Sequence, residues 1–276
     1  LNNVETFANV PLIINRGATW FSSIGTENSK GTKIFSLTGK IKQAGLVEVP
    51  MGTSIRNIVF NMGGGIQKRK RFKAVQIGGP SGGCIPESLL DSPVDFESLK
   101  QAGAMMGSGS FVVVDETTCM VDMARFFLDF CAKESCGKCP PCRIGTTLML
   151  EILNRITSGE GEERDLEVLE QMCDEVKTMS LCGLGQSAPN PVKSTIRYFR
   201  DEYMAHIRDK ECPTATCVAL HRYEIVSDKC TKCLLCVKNC PVTAISGSRE
   251  EEVFIHKDKC IQCNLCYEKC NFMAIK

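Results

Sequence analysis

The cysteines near the C-terminus form two copies of one metal-ligand pattern. Each copy reads C-x2-C-x2-C-x3-C, and the copies lie thirty residues apart: Cys230, Cys233, Cys236 and Cys240, then Cys260, Cys263, Cys266 and Cys270. Three thiolates from one short loop can bind three irons of a cubane [4Fe–4S] cluster, and the fourth ligand must come from a distant segment. The repeat therefore predicts two iron–sulfur clusters that hold its two halves together.

The assignment of ligands follows the bacterial two-cluster ferredoxin pattern, in which the fourth cysteine of each run ligates the other cluster. We predict one cluster on Cys230, Cys233, Cys236 and Cys270, and a second on Cys260, Cys263, Cys266 and Cys240. Zinc knuckles are the alternative, but zinc sites usually use two C-x2-C pairs or mixtures of Cys and His. Asn271 stands where the second copy would have a proline like Pro241, which shapes a turn and is not a ligand.

A third run, Cys136, Cys139 and Cys142, again has the C-x2-C-x2-C spacing. No cysteine follows four residues later, so the fourth ligand must come from elsewhere. Cys182 is the best candidate because it lies in a glycine-containing segment, and glycine lets the backbone approach a cluster closely. The sequence thus predicts a third [4Fe–4S] cluster on Cys136, Cys139, Cys142 and Cys182.

A candidate zinc site lies between this run and the repeat. Two cysteines there have a histidine on each side, in the order His206, Cys212, Cys217 and His221. Cysteine and histidine bind zinc tetrahedrally, so the group could form a structural clip at a domain hinge. The equal alternative is two spare thiols with His206 on the polar face of a helix.

Four cysteines remain after these assignments. Cys131 and Cys173 lie on apolar stripes, so core packing is the favoured interpretation for both. Cys119 lies near a helix start and is undecided between packing and function. Cys84, in a glycine-rich loop, is equally undecided because no base or partner is visible beside it.

The segments between the cysteine runs predict the elements that position them. Apolar stripes at helical spacing predict four helices, around residues 121–131, 144–156, 166–176 and 192–207, which suit a bundle with cluster loops at its ends. Upstream, residues 33–37 and 46–49 read as a hairpin, 53–60 as a helix and 73–77 as a strand. That order suits a β-grasp fold. The basic run at 68–71 is interpreted as a solvated loop rather than a contact patch.

Composition excludes several classes of protein. The chain has 276 residues with a formal net charge of +1, which argues against a generally basic nucleic-acid binder. No apolar run is long enough to span a membrane, and no secretory leader is visible. Many free thiols are typical of a reducing compartment, so we expect a cytoplasmic protein. No G-x-G-x-x-G fingerprint is present, and no catalytic residue is predicted within the chain.

Several motifs together resemble the NADH-binding flavoprotein subunit of the complex I family. They are Asn2-Asn3-Val4-Glu5-Thr6, the glycine loop at 78–83, the segment from Glu134 to Arg143, and Ser180-Leu181-Cys182-Gly183-Leu184-Gly185. With the ferredoxin repeat added, the chain is similar to the beta subunit of NAD(P)-dependent, often electron-bifurcating, [FeFe]-hydrogenases and related formate dehydrogenases.

The resemblance implies an FMN- and NAD(H)-binding domain before the first motif, and makes Asn2, Asn3 and Thr6 candidates for FMN contact. It also implies a ubiquitin-like soluble-ligand-binding β-grasp domain and a cluster on the four cysteines already assigned in the helical region. Expected partners are the other subunits of a hydrogenase or formate dehydrogenase complex, including a [2Fe–2S] thioredoxin-like subunit, and soluble ferredoxin.

These inferences combine into an α+β multidomain chain. We expect the end of a flavin domain and a linker at 1–30, a β-grasp domain at 31–110, a helical bundle at 111–209, a hinge at 210–222 and a two-cluster ferredoxin domain at 223–276. The predicted function is electron relay in a flavin/iron–sulfur NAD(P)H-linked oxidoreductase. The alternative is a non-enzymatic, mobile ferredoxin docking arm, or a relay subunit of a formate dehydrogenase.

Overall fold

A computed structural model of the chain describes residues 2–220, 223–257 and 259–276. Its order is two N-terminal helices, a mixed sheet, a group of helices and a small C-terminal domain rich in cysteine. Within these residues, none of the helices combines the length and the apolar character that crossing a bilayer would require.

The N-terminal helices are α1 (Val4–Arg16) and α2 (Ala18–Ser22). Asn3 caps α1 because its side chain accepts a hydrogen bond from the backbone N–H of Glu5 at 2.9 Å. The Glu5 carboxylate in turn accepts from the backbone N–H of Ile34 at 2.8 Å and pairs with Lys33. These bonds attach α1 to the first strand of the sheet, although no residue of α1 is buried.

The sheet has five strands in the order β2-β1-β5-β3-β4. They are β1 (Thr32–Gly39), β2 (Gly45–Pro50), β3 (Phe72–Ile77), β4 (Gly83–Pro86) and β5 (Ser110–Asp115), with the short helix α3 (Phe96–Gln101) before β5. The predicted hairpin is confirmed, since β1 and β2 pair antiparallel. The predicted helix after it takes the form of a π-helical segment, Asn57–Met62.

The central strand β5 is not expected from the sequence. It pairs parallel with β1 and antiparallel with β3, and its Phe111 and Val113 lie in the core of the sheet. The sheet therefore extends to Asp115, and the expected boundary at residue 110 is wrong. A short apolar run such as 111–114 fits a buried strand or a buried helix equally well, and only its neighbours decide between them.

The helical domain contains α4 (Met120–Lys133), α5 (Pro140–Ser158), α6 (Glu163–Met179), α7 (Gly183–Ser187), α8 (Asn190–Tyr198) and α9 (Arg200–Met204). Apolar side chains from α4, α5, α6 and α8 share one core. The last predicted helix is not continuous, because Phe199 leaves helical geometry between α8 and α9 and residues Ala205–Asp209 continue as a π-helical turn.

The C-terminal domain consists of α10 (Leu235–Asn239), β6 (Ile245–Ser246), β7 (Phe254–Ile255) and α11 (Leu265–Glu268). Its backbone repeats as its sequence does. Left-handed φ values near +50° to +65° occur at thirty-residue intervals, in the pairs Lys232 and Gln262, Leu234 and Asn264, and Thr243 and Met273. The two cysteine loops therefore share one backbone conformation.

Candidate metal centres

The cysteines assigned to the third cluster lie at one end of the helical domain, and we call them the helical-domain site (Cys136, Cys139, Cys142 and Cys182). The loop between α4 and α5 carries Cys136 and Cys139, and Cys142 lies in the first turn of α5. Cys139 precedes α5, whose first two positions are Pro140 and Pro141, as suits a helix start. The Arg143 guanidinium donates to the Gly137 carbonyl at 2.8 Å and so holds the loop closed.

The segment that carries Cys182 lies against this loop. The backbone N–H of Leu181 lowers the pKa of the Cys139 thiol, which favours the thiolate that an iron ligand requires. Gly185 is buried, and a Cβ there would overlap Ser180 and approach Cys142 Cβ to 3.0 Å. Cys182 itself is exposed and precedes α7. The structure thus packs Leu181 and Gly185, which flank Cys182, against Cys139 and Cys142.

This region also contains a polar atom that lacks a partner. Ser180 is buried, and its Oγ has no hydrogen-bond partner within the described part of the chain. A buried hydroxyl without a partner costs about 1–3 kcal/mol, so such atoms are rare unless a bound group satisfies them. A cluster sulfur would be a suitable acceptor, and the residues present therefore fit a [4Fe–4S] group.

Cys240 and Cys270, each predicted to ligate the cluster of the other run, accept matching backbone hydrogen bonds. The Ala244 N–H donates to Cys240 Sγ at 3.2 Å, and the Ala274 N–H donates to Cys270 Sγ at 3.3 Å. Six of the eight repeat cysteines pack around one small apolar core with Ile245 and Ile275, while Cys233 and Cys263 are exposed. This environment combines apolar surroundings with N–H donors to sulfur, which together tune cluster potentials.

The candidate zinc site contains a residue that the sequence does not assign to it. His206, Cys212 and Cys217 are joined by Cys119, all four are buried, and their ligand atoms lie within 4.8 Å of one another. We call this set the His/Cys site. Among the described residues it is the one group of potential ligands close enough for a single metal ion. His221, the fourth ligand expected from the sequence, lies outside the described residues.

Distances in the His/Cys site match a tetrahedral metal. Cys119 Sγ lies 3.8 Å from Cys217 Sγ, and His206 Nε2 lies 3.3 Å and 3.4 Å from those two sulfurs. Zinc–sulfur bonds of about 2.3 Å in a tetrahedron place two sulfurs about 3.8 Å apart. The sequence by itself leaves Cys119 between packing and function, because 98 positions separate it from Cys217.

Close contact among the side chains of the His/Cys site shifts their pKa values. Burial lowers the pKa of His206, but the sulfurs of Cys119 and Cys212 outweigh burial and raise that pKa to about 10. Hydrogen bonding from Cys119 lowers the pKa of Cys212 far below that of an ordinary thiol. The Cys212 shift arises because the thiols of Cys119 and Cys217 donate to its sulfur, and the His206 shift arises because sulfur lies close to its imidazole. A bound cation would take the place of these shared protons.

A second layer of contacts orients His206. Its Nδ1 lies 2.7 Å from the Glu202 carbonyl, which directs Nε2 toward the sulfurs. The Glu202 carboxylate accepts from the backbone N–H of Met120 at 3.0 Å and pairs with Lys73 of β3 at 2.5 Å. The site is therefore tied to the sheet as well as to α4 and α9.

The other buried cysteines have the properties of packing residues. Burial raises the pKa of Cys131 to about 11 and that of Cys173 to about 12, and it also raises the pKa of Cys84. A raised pKa keeps each thiol neutral and unreactive at neutral pH. The Cys84 backbone N–H donates to Ser194 Oγ at 2.9 Å, across the junction between the sheet and α8.

The candidates for FMN contact lie at the start of α1. Asn2 is exposed beside that helix start, and the Asn3 side chain caps the helix. The Asn3 side chain serves as the helix cap. Among the described residues, no other hydrogen bond involves the side chain of Asn2, Asn3 or Thr6. Their contact with FMN stays a prediction.

Comparison with known proteins places this arrangement in a family. Residues 122–206 match the NADH-ubiquinone oxidoreductase-F iron-sulfur binding region, and residues 222–271 match the 4Fe-4S dicluster domain. The NADP-reducing hydrogenase subunit HndC of Solidesulfovibrio fructosivorans is 54% identical over 251 residues, which are 91% of this chain and 51% of that protein. The chain belongs to the family of hydrogenase subunit HndC and its relatives in the NADH-quinone oxidoreductases.

Other members of this family give the same result. An NADH-quinone oxidoreductase subunit of Rhizobium meliloti (strain 1021) is 44% identical over 77% of this chain and 51% of its own length. The crystal structure of an air-oxidized NAD+-reducing [NiFe]-hydrogenase matches with a TM-score of 0.68 at 35% identity, covering 75% of this chain and 35% of that one. The chain spans about half the length of the curated relatives it matches. All of them are components of oxidoreductases, as their names state.

Proposed function

We propose that this chain is the electron-relay part of a flavin- and iron–sulfur-containing NAD(P)H-linked oxidoreductase of the hydrogenase type. The observation that carries the proposal is that three cysteine sets with [4Fe–4S] spacing occur in one chain that is 54% identical to a hydrogenase subunit. Bound clusters would supply one-electron redox chemistry. Electron bifurcation, with soluble ferredoxin as a second partner, is part of the proposal.

The chain's own residues hold and tune the clusters. Cys136, Cys139, Cys142 and Cys182 would ligate the first, and the eight repeat cysteines would ligate the other two in the exchanged order given above. Apolar packing limits solvent access, while the N–H groups of Ala244, Ala274 and Leu181 act on sulfur. Burial and hydrogen bonds of this kind set cluster potentials.

We propose that the His/Cys site binds zinc as a structural clip. Three cysteines and one histidine are a closed ligand set typical of structural zinc, with no position left for a substrate. The clip joins the start of α4 to the segment that leads into the repeat. We also propose that residues 210–222 form a hinge for a mobile ferredoxin domain. The zinc clip holds Cys212 and Cys217 and so fixes the N-terminal part of this hinge.

We propose that residues 32–115 form a β-grasp, soluble-ligand-binding domain and that α4, α5, α6 and α8 with α9 form a four-helix bundle. FMN and NAD(P) would bind the whole protein, with Asn2, Asn3 and Thr6 as candidate FMN contacts. Other hydrogenase subunits, including a [2Fe–2S] thioredoxin-like one, are the proposed partners, in the cytoplasm.

Metal analysis with spectroscopy tests the proposal. Anaerobically reconstituted protein should contain about twelve iron atoms and one zinc per chain, because three four-iron clusters and one closed zinc site are proposed. Dithionite reduction should give EPR signals from three [4Fe–4S] clusters. About eight irons after full reconstitution, with no signal lost in Cys139→Ala, would contradict the helical-domain cluster. Zinc near zero in iron-replete protein would contradict the clip.

A further inference from the structure

Two serine hydroxyls lie at the helical-domain site, and neither is a ligand in the proposed function. Ser180 is 5% exposed and its Oγ has no hydrogen-bond partner among the residues that the structure describes. Ser135 Oγ lies 3.3 Å from Cys142 Sγ and accepts the backbone N–H of Gly137 at 3.3 Å. Because Ser135 accepts from Gly137, its own hydrogen is available for the sulfur of Cys142.

The fold keeps Ser180 in place. Gln186 donates its side-chain N–H to the Ser180 carbonyl at 3.1 Å, and the Ser180 N–H donates to the Val176 carbonyl at 3.2 Å. Both backbone groups are thus satisfied while the hydroxyl is left without a partner. Gly185 lacks the Cβ that would overlap this hydroxyl, and the same missing Cβ leaves space beside Cys142. The hydroxyl therefore lies next to the ligand loop, in a space that glycine keeps open.

We propose that Ser180 and Ser135 donate hydrogen bonds to the sulfurs of the helical-domain cluster and raise its reduction potential. This inference rests on the proposed function, which supplies the cluster. Reduction adds one electron from an external donor, forms and breaks no covalent bond, and increases the negative charge on the sulfurs. A hydroxyl that donates to sulfur stabilises the reduced form more than the oxidised form, and the potential rises.

The two serines differ in the size of the effect. Ser180 is buried, so its hydrogen bond acts in surroundings of low polarity that strengthen electrostatic interactions. Ser135 is half-buried in the loop, and water weakens its effect. Ser180 should therefore make the larger contribution to the potential.

Redox titration followed by EPR tests the proposal in the whole reconstituted chain. The helical-domain signal is first identified as the one that Cys139→Ala removes. Ser180→Ala should then retain wild-type iron content and lower the midpoint of that signal. We expect a change of up to about tenfold in the one-electron equilibrium constant, which corresponds to about 59 mV. Ser135→Ala should give a smaller shift in the same direction, and the signals of the repeat should not move in either variant.

Ser187→Ala is the matched control, because Ser187 lies in the short helix that follows Cys182 but its hydroxyl donates to the Gly183 carbonyl at 2.6 Å. It should leave every midpoint unchanged. Unchanged midpoints in both Ser180→Ala and Ser135→Ala, at full iron content, would overturn the proposal. If Ser180→Ala loses its cluster, Ser135→Ala decides the result. An absent third signal in wild type would instead contradict the proposed function.

Discussion

The ferredoxin repeat and the His/Cys site both present cysteine sulfur, but they differ in burial and in how far apart their ligands lie in the sequence. Each run of the repeat places four cysteines within eleven residues, and several of them are partly or fully exposed. In the His/Cys site all four side chains are buried, and Cys119 and Cys217 meet across 98 residues of sequence. The cysteines of each run are close in sequence, whereas the His/Cys site depends on how separate helices pack.

This difference determines what each metal centre can do for stability. A metal ion in the His/Cys site closes a loop of nearly a hundred residues, and loop closure of the unfolded chain grows more costly with length. A cluster in the repeat joins two short runs within one small domain. The helical-domain site is intermediate, because the loop and the first turn of α5 would supply three ligands and Cys182 would come from another segment.

The largest effect is expected at the His/Cys site. Cys217→Ser removes one buried ligand, so it should abolish zinc binding and lower the free energy of unfolding by about 3–5 kcal/mol. Metal analysis measures the zinc content, and denaturant unfolding of the sheet and helices measures the free energy of unfolding. Cys173→Ser is the matched control, since Cys173 is equally buried but lies outside the site; it should retain zinc. Equal destabilisation with equal zinc content in both variants would contradict the assignment of Cys217 as a zinc ligand.

Iron counting in double variants tests exchange of ligands within the repeat. Cys233→Ser should remove one cluster, about four irons. Adding Cys270→Ser should remove no further iron, because both residues are proposed to ligate the same cluster. Adding Cys240→Ser to Cys233→Ser should remove about four more. The reverse result would mean that each run holds its own fourth ligand, and the repeat would be still more local than we propose.

A smaller effect is expected where Cys182 approaches its loop. Gly185→Ala adds a methyl that overlaps Ser180 and approaches Cys142 Cβ, so it should cost about 1–3 kcal/mol and weaken cluster retention. Gly183→Ala is the matched control, since its added methyl has no neighbour within 4 Å. Thermal unfolding and iron content compare the two. Similar behaviour of both variants would show that close packing here does not position Cys182.

The smallest effect is expected at the position where the repeat departs from its own pattern. Asn271 is exposed and corresponds to Pro241 of the first run. Asn271→Pro should change the free energy of unfolding by about 0.5 kcal/mol or less. It should also leave the iron content unchanged, because Asn271 is exposed and proline already follows Cys240 at the matching position of the first run. Lost iron in this variant would mean that the two halves differ more than their matching backbone indicates.

Prediction from the sequence succeeded where neighbours in sequence are neighbours in space. The hairpin of β1 and β2, the helices α4, α5 and α6, and the matched loops of the repeat all follow from local periodicity. It failed for β5 and for the break at Phe199. A buried central strand has no alternating pattern to distinguish it from a buried helix, and a helix break with few local signals depends on packing.

The sequence by itself determined which cysteines have cluster spacing, because a chain extends only about 3.3–3.6 Å per residue and a C-x2-C-x2-C run must keep its thiols together. Only the tertiary structure decided that Cys119 lies with His206, Cys212 and Cys217, and that Ser180 lies buried beside the helical-domain loop. Those contacts arise from the packing of α4, α7 and α9 in one domain. Residues far apart in the chain carry no spacing that could indicate such a contact.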